Sequence, residues 1–591
     1  MIKFLERKEV DVIFGYPGSA VLTLYDALYK AAENNGKIKH ILTRHEQGAI
    51  HAAEGYAQAT KKTGVVFATS GPGATNLVTG LADAMLDSVP IFAITGQVNV
   101  KDIGRDAFQE ADMLGVTLAI TKHNYLVRDI KDLAYTLESA WQIAQSGRKG
   151  PVLIDIPQNI FTEEMPGINI SEITEIIYIP KERKITNSFD EQKNKILNLL
   201  IHSFRPVILA GGGVTASDGA PELMQKFMNK YNIPCAVTLM GKSTVHISNP
   251  LALGMAGMHG LPAANSAIAQ SDLIIAVGTR FSDRTIVNPE LFSQTKSIIH
   301  ADIDIAEISK NVKAGIPVVI DSAEFFKYML DLEIPGNKIN QWKEWHNGLL
   351  PPAAAATSPL AGEGGREAAS KAPFVYEGGS DEVAGGSLTI REVIRTVTEL
   401  IELCGNYENI TVVTDVGQHQ MIAAQETKHK TPGTFITSGG LGTMGFGLPA
   451  AIGAAFGKSE QNGGKVILFS GDGGIQMTIQ ELATVRKTPV PVKIFIFDNN
   501  RLGMVRQWQK HFYGGRYSQS ILGDNPEFVK IAEAYGIKGV KITSGKDLTK
   551  TIESVLNSGE TVLAHVLTAP EENVYPIIPA GKSNHEMLIS E

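Results

Sequence analysis

Val466-Ile467-Leu468-Phe469-Ser470-Gly471-Asp472-Gly473-Gly474, followed after one intervening stretch by Val492-Lys493-Ile494-Phe495-Ile496-Phe497-Asp498-Asn499-Asn500, decides how this chain is read. Residues 466–469 are short, apolar and β-prone, the pattern of a parallel strand buried on both faces. Ile479, Leu482, Ala483 and Val485 recur at helical spacing and predict one helix after the glycines. Residues 492–497 predict the next strand. Each strand of this βαβ unit ends in an oxygen-bearing side chain, Asp472 and Asn499, 27 positions apart. Ligands of open α/β sheets bind beyond the carboxyl ends of the strands, and the glycines let backbone approach a phosphate closely. One carboxylate plus one amide oxygen is a sparse set. It suits Mg²⁺ that takes its other ligands from a diphosphate and water. A lone Gly-Asp-Gly reads equally well as a turn; the pairing with Asn-Asn across two strand ends makes it specific.

The 591 residues predict three or four domains, each able to bury a core. Hydrophobic residues make up 43% and charged residues 20%, as in a water-soluble globular protein. A net charge of −8 argues against a nucleic-acid partner. Cys235 and Cys404 cannot build a disulfide framework and are not spaced as metal ligands, so a reducing, cytoplasmic setting is expected. No signal peptide or run of 18 apolar residues suggests export or a membrane span.

Strands alternate with helices throughout the first third. Residues 11–14, 38–42, 65–69 and 91–95 read as strands, closed by Gly15-Tyr16-Pro17-Gly18, His45-Glu46-Gln47-Gly48-Ala49, residues 70–76 and Gly96-Gln97. The class is α/β, doubly wound. Glu46 stands at the mouth of an Ala/Gly-rich helix, where lost solvent raises a carboxylate's pKa and suits it to proton exchange; an acid held by the helix dipole reads the same. In the middle third, residues 206–210 form a strand running into Gly211-Gly212-Gly213, and 272–278 another running into Thr279-Arg280-Phe281-Ser282-Asp283-Arg284. Residues 411–415 are a strand before Val416-Gly417-Gln418-His419, and residues 438–449 open a small-residue helix, a pattern that mirrors the Glu46 unit.

The Gly471 to Asn500 pattern resembles the thiamine-diphosphate motif. The segments at 15–18, 45–49, 70–76 and Asp106-Ala107-Phe108-Gln109-Glu110-Ala111-Asp112 are similar to the pyrimidine-binding domain of the acetolactate (acetohydroxyacid) synthase family. The resemblance covers the chain outside residues 351–386. It implies three doubly wound parallel-sheet domains: a pyrimidine-binding domain (1–162), a linker (163–187), a central FAD-binding-type domain (188–345), a low-complexity linker (346–387), a diphosphate/Mg-binding domain (388–570) and a C-terminal tail (571–591), which in the family can fold over the active site.

The resemblance implies thiamine diphosphate, Mg²⁺ and FAD as cofactors. Glu46 would exchange a proton with the aminopyrimidine of the neighbouring subunit's cofactor, with Phe108 and Gln109 lining the pocket. Gln418, His419, Gly440, Gly471 and Gly473 would hold thiamine diphosphate, braced by Met444. Asp472, Asn499 and the Arg501 carbonyl would bind the metal. Arg148, Gly211, Gly212, Gly213, Thr238, Leu239, Met258, His259, Gly278, Arg280, Asp302, Ile303 and Asp321 would touch the flavin. Arg284 would hold the second substrate's carboxylate, a role that suits a guanidinium fork. Met504, Val505 and Trp508 would line the substrate channel, or form plain core.

The activity implied is acetolactate synthesis in branched-chain amino-acid biosynthesis. Pyruvate is decarboxylated on the thiamine, and the hydroxyethyl carbanion-enamine is ligated to pyruvate or 2-oxobutyrate by a homodimer or homotetramer whose active site lies at the subunit interface. Room is left for a regulatory small subunit. Two departures stand out: Gln158 replaces the family's usual Lys, and Thr285-Ile286-Val287 replaces Val-Thr-Gly. An FAD-dependent pyruvate oxidase, an FAD-free catabolic synthase and a non-catalytic paralogue are the alternatives.

Overall fold

A computed structural model describes residues 1–164, 189–246, 248–349, 388–403, 409–458, 464–579, 581–584 and 586–590. The linker expected at 163–187 and the low-complexity segment at 346–387 lie largely outside these residues, as does Cys404. Among the described residues no helix is long and apolar enough to cross a membrane.

Three six-stranded sheets carry the molecule, all of their strand pairs parallel. The first contains β1 (Val12–Gly15), β2 (Lys39–Leu42), β3 (Gly64–Ala68), β4 (Ile91–Gln97), β5 (His123–Leu126) and β6 (Val152–Pro157), ordered β2-β1-β3-β4-β6-β5. The second contains β7 (Pro206–Ala210), β8 (Cys235–Val237), β9 (Ala252–Met255), β10 (Leu273–Val277), β11 (Ser297–Asp302) and β12 (Ile316–Val319), ordered β12-β11-β10-β7-β8-β9. The third contains β13 (Ile410–Thr414), β14 (Phe435–Ile436), β15 (Lys465–Gly471), β16 (Val492–Asp498), β17 (Lys538–Ile542) and β18 (Val562–Leu567), ordered β14-β13-β15-β16-β18-β17. Helices cover both faces, so central strands such as β4 and β16 are buried at every position. The first and third sheets share one order, 2-1-3-4-6-5 when each is counted from its own first strand. The middle sheet follows 3-2-1-4-5-6, the dinucleotide-binding order.

By contacts the chain divides into two compact units. The first holds residues 1–182, 399–420 and 433–570, and so both outer sheets; the second holds 183–398, 421–432 and 571–591. Inside the first unit, the helix Glu46–Thr60 packs on the helix Gly447–Lys458 at backbone distance. A Cβ on Gly55 would overlap the Ala450 carbonyl, and one on Gly453 the Ala52 carbonyl. Inside the second unit, the helix Gly336–Leu349 runs past residue 345. The tail sits on the central sheet's loops: Ile578 N donates to Met258 O (2.9 Å) and Asn584 Nδ2 to Asn265 Oδ1 (3.1 Å).

The single helix expected after Gly474 is three short pieces, Asp472–Met477, Ile479–Glu481 and Leu482–Val485. The break is Thr478, at φ −135° and ψ 23°, whose hydroxyl donates to Gly445 O (2.9 Å). A side chain that competes for backbone acceptors ended the helix where apolar spacing alone continued it.

Candidate active site

The third sheet reverses its winding between β13 and β15, so the loops after these strands meet at a switch point. After β13 come Gln418 and His419, opening the helix Gln418–Glu426; after β15 comes Asp472. Asp472 Oδ1 accepts from Gly473 N (2.9 Å) and Oδ2 from Asn525 Nδ2 (2.8 Å). Asn499 Oδ1 accepts from Arg501 N (3.0 Å), and Asn499 Nδ2 faces Gln418 Oε1 at 3.5 Å. Asn525 also donates to Asp498 Oδ1 (2.8 Å), Gln476 Nε2 donates to Asn525 Oδ1 (3.1 Å), and His565 Nε2 lies 2.8 Å from Asp498 Oδ2. The structure thus brings Gln418, His419, Asp472 and Asn499 to one corner. Asp498 and Asn525, absent from the sequence expectations, hold it together. Only the acid beside Asn499 was a signal for the former. Asn525 is far along the chain, in a loop no spacing rule reaches.

Burial, then the charge of Asp498, pushes the Asp472 carboxyl up to about 7. Burial also acts to raise Asp498, but hydrogen bonds from His565 and Asn525 more than reverse it and hold that carboxyl low. The side-chain oxygens of Asp472 and Asn499 are the donor type that a hard divalent cation takes, so this corner fits Mg²⁺. The diphosphate fits beside it. A Cβ on Gly471 would stand 3.1 Å from the His419 ring, and one on Gly473 2.8 Å from Leu502 and 3.6 Å from Met444 Cε. His419 Nε2 is buried with no partner among the described residues, and burial holds its imidazole down at about 3, a neutral donor in waiting. The loop 438–445 carries Gly440 and Met444. It is tied by Ser438 Oγ to Asp83, by Gly439 N and Gly440 N to Asp87, and by Gly445 N to Asp415.

Glu46 is buried in the first turn of the helix Glu46–Thr60, capped by His45, whose Nδ1 accepts from Gln47 N (3.1 Å). Its Oε2 accepts from Asn76 Nδ2 (2.9 Å), and its charge adds to the burial that raises the Tyr25 hydroxyl. Gly71, at φ +58°, passes against Gln109 (Cβ to O 2.7 Å), itself at φ +62°. The 70–76 turn therefore touches Gln109 with one end and Glu46 with the other. Phe108 is 88% exposed. The helix Gly503–Phe512 buries Arg506 and Gln507 and exposes Val505, with Met504 and Trp508 half-buried. It is therefore not packed as plain core.

In the second unit, the middle sheet reverses between β7 and β10. There Gly211 and Gly213 lie against Gly278, whose φ is +56°. A Cβ on Gly213 would stand 2.6 Å from Gly278 Cα, so the two loops meet as bare backbone, a cradle that fits a dinucleotide such as FAD. Thr238 Oγ1 accepts from Gly241 N (3.3 Å), with Leu239 next in the same turn. Met258 and Arg284 are adjacent: Met258 N donates to Arg284 O (2.8 Å), and Arg284 Nη1 lies 3.4 Å from Met258 Sδ. The Arg284 side chain is otherwise exposed, 3.6 Å from Asp283. His259 is buried beside Pro576 O (3.2 Å), and burial lowers its imidazole to about 4.

Some expected flavin contacts have structural work of their own. Asp321 caps the helix Ser322–Leu330, accepting from Ala323 N (2.8 Å) and Ser217 Oγ (2.8 Å). Asp302 Oδ1 accepts from Asp304 N (2.9 Å), Ile303 is exposed, and Asn311 Nδ2 donates to Arg280 O (2.8 Å). Arg148 belongs to the first unit, where it donates to Ser88 Oγ (2.8 Å) and Met85 O (3.2 Å). Gln158 is exposed at the start of a short helix, while Thr285 and Ile286 are buried.

Three family models match in chain order: the thiamine pyrophosphate enzyme N-terminal TPP binding domain (1–116), central domain (194–329) and C-terminal TPP binding domain (415–566). The chain is 43% identical over 590 residues to the acetolactate synthase large subunit of Lactococcus lactis, covering 100% of this chain and 95% of the relative. It is 42% identical over 590 residues to the acetolactate synthase isozyme 2 large subunit of Escherichia coli, covering 100% and 98%. It is also 42% identical over 581 residues to a probable acetolactate synthase large subunit of Methanocaldococcus jannaschii, covering 98% and 93%.

Proposed function

This chain belongs to the acetolactate synthase large-subunit family of thiamine pyrophosphate enzymes, and from that premise we propose that it joins two 2-oxoacids, decarboxylating pyruvate and ligating the remaining two-carbon unit to a second pyruvate or 2-oxobutyrate. The observation that carries this reading is the corner at the switch point that gathers the side-chain oxygens of Asp472 and Asn499 with His419, whose Nε2 has no partner among the described residues. Thiamine diphosphate, when bound, supplies the electron sink for decarboxylation.

The protein's own residues bind, orient and move protons. Asp472, Asn499 and the Arg501 carbonyl hold Mg²⁺. Gln418, His419 and the backbone around Gly440, Gly471 and Gly473 hold the diphosphate, and Met444 supports the middle of the cofactor. Glu46, buried and oriented by Asn76, holds and returns a proton at the aminopyrimidine nitrogen. Arg284, exposed and adjacent to Met258, offers its fork to the carboxylate of the second 2-oxoacid, while Phe108, Gln109, Met504, Val505 and Trp508 shape the approach and exclude water. The Gly211–Gly213–Gly278 cradle would hold FAD as a structural group, since ligation has no net redox change. The active form is a homodimer or homotetramer in the cytoplasm, open to a regulatory subunit.

The test is a pyruvate assay with Mg²⁺ and thiamine diphosphate, with and without FAD, following acetolactate and oxygen together. Acetolactate without oxygen loss is expected, and dependence on FAD supports the cradle assignment. Stoichiometric oxygen consumption with little acetolactate would make the chain an oxidase and withdraw the role given to Arg284.

A further inference from the structure

Two turns into the helix that begins at Glu46, a group of ionisable side chains is buried outside the site just described. His51 is 0%, Glu54 1% and Asp83 1% exposed. His51 Nδ1 lies 3.3 Å from Glu54 Oε2, and ligand atoms of all three lie within 4.8 Å of one another. Among the described residues His51 Nε2 has no hydrogen-bond partner, while the Glu54 and Asp83 carboxyls meet one another. The other oxygen, Asp83 Oδ1, accepts from the Ser438 hydroxyl at 2.6 Å. Ser438 Oγ in turn accepts from Thr443 N at 2.9 Å, so this one hydroxyl spans the loop 438–445 immediately before Met444. Asp87, one turn on from Asp83, accepts from Gly439 N (2.8 Å) and Gly440 N (2.7 Å). The helix Val78–Asp87 therefore grips the loop through two acids, and Glu54 backs one of them.

We propose that Glu54 and Asp83 are positioning residues: a buried carboxyl pair that holds one proton at neutral pH and, through the Ser438 hydroxyl, fixes the loop 438–445 and Met444 for cofactor binding. The role given to Met444 rests on the function proposed above; the grip on the loop does not. Two buried carboxyls in contact do not both ionise near neutral pH, and the neighbours decide which keeps the proton. Burial, then the charge of Asp87, raises Glu54 far above the usual carboxylate range. Burial, then the charge of Glu54, raises Asp83 to about 7, while His51 and the Ser438 hydrogen bond work in the opposite direction. The groups facing the pair are His51 on its own helix, Asp87 on the second helix and Asp415 after β13; Glu481 meets the same helix at Gly48. Burial lowers the His51 imidazole, against the charges of Asp83 and Asp415. Above about pH 7 Asp83 is the charged member, and its bond to Ser438 becomes charge-assisted, roughly twice as strong as a neutral one.

The experiment uses the full-length protein and titrates it with thiamine diphosphate and Mg²⁺ by calorimetry at several pH values from 6 to 8. Hydrogen exchange of the loop 438–445 is followed in the same samples, with and without cofactor. Asp83→Asn keeps the shape and an acceptor for Ser438 but cannot ionise; Asp83→Leu removes the acceptor. The ratio of wild-type to Asp83→Asn affinity, in which the cofactor's own titration cancels, is expected to rise about fivefold from pH 6 to 8. Glu54→Gln, which sets a neutral amide where the protonated Glu54 stood, is expected to leave that rise in place. Asp83→Leu is expected to weaken binding about tenfold or more at every pH and to speed exchange in the loop. A pH-independent ratio, or unchanged loop exchange in Asp83→Leu, overturns the proposal, as does a stoichiometric metal ion that survives EDTA treatment and is lost from Asp83→Leu. If wild type binds no thiamine diphosphate, the functional reading fails, while loop exchange still decides whether the pair holds the loop.

Discussion

Glu46 and Asn525 represent two ways in which a residue can matter here. Glu46 is buried and, among the described residues, has one side-chain hydrogen-bond partner, Asn76, on Oε2, which leaves Oε1 to meet a ligand. Glu46→Gln keeps that hydrogen bond and removes the exchangeable proton. Acetolactate formation at saturating cofactor is expected to fall about 10²–10⁴-fold, with cofactor affinity by calorimetry nearly unchanged. Loss of affinity equal to loss of rate would reassign Glu46 to binding. Asn525 touches no substrate in the proposed mechanism, yet it bridges Asp472 and Asp498, 2.8 Å from each. Asn525→Ala leaves those two carboxylates facing one another and frees Asp472 to rotate. The Mg²⁺ concentration needed for half-maximal activity is expected to rise about 10–100-fold, read by titration with thiamine diphosphate saturating. The sequence showed Asp472 and Asn499 because a strand end is a local pattern. It could not show Asn525, because a partner brought in by tertiary folding leaves no trace in local spacing.

At the scale of elements, close approach of backbones does what side-chain packing does elsewhere. The Glu46–Thr60 and Gly447–Lys458 helices interlock at Gly55 and Gly453, where any side chain would strike a carbonyl. Gly453→Ala forces the helices apart and is expected to cost about 1–3 kcal/mol, seen as a lowered denaturant midpoint. Adding Gly55→Ala should cost less than the sum of the two, since one separation relieves both clashes. An unchanged midpoint would mean the helix pair is not packed as described. The β7–β10 crossing makes a parallel case with a ligand readout. Gly278→Ala places a Cβ 2.6 Å from Gly213 Cα at a φ of +56°, and the purified variant is expected to lose the flavin absorbance that the proposed reading gives wild type. Retained flavin would move the dinucleotide elsewhere. The small-residue character of both helices was legible, as were the Gly211 to Gly213 run and the strands themselves. The break at Thr478 was not, because the competing acceptor, Gly445 O, lies 33 residues away.

Across the whole molecule, alternation of apolar strands with helices announced parallel sheets. The shared order of the first and third sheets turns a sequence echo between the Glu46 and His419 units into a topological repeat. The division into two contact units was not legible, since which sheets share a core depends on contacts between segments hundreds of residues apart. Burying ionisable groups in such cores also makes stability depend on pH, with both signs present. Burial holds His40 and His259 at about 4, so unfolding takes up protons as pH falls below about 6.5 and stability is lost on acidification. Asp155 has the opposite sign. Burial pushes it to about 7 from an ordinary 3.8, against hydrogen bonds from Thr95 and Gln97. Between those values the folded protein holds a proton that the unfolded chain has released, so Asp155 stabilises increasingly as pH falls from about 7 towards 4. Asp155→Asn preserves both partners, with the Thr95 hydroxyl turning to accept from the new amide, and removes the proton. Its unfolding free energy, measured by denaturant titration at pH 7, 6 and 5, is expected to fall relative to wild type by up to about 1.4 kcal/mol per pH unit on acidification. A variant whose pH slope matches wild type would show that Asp155 is ionised in the folded protein, and that Thr95 and Gln97 outweigh its burial.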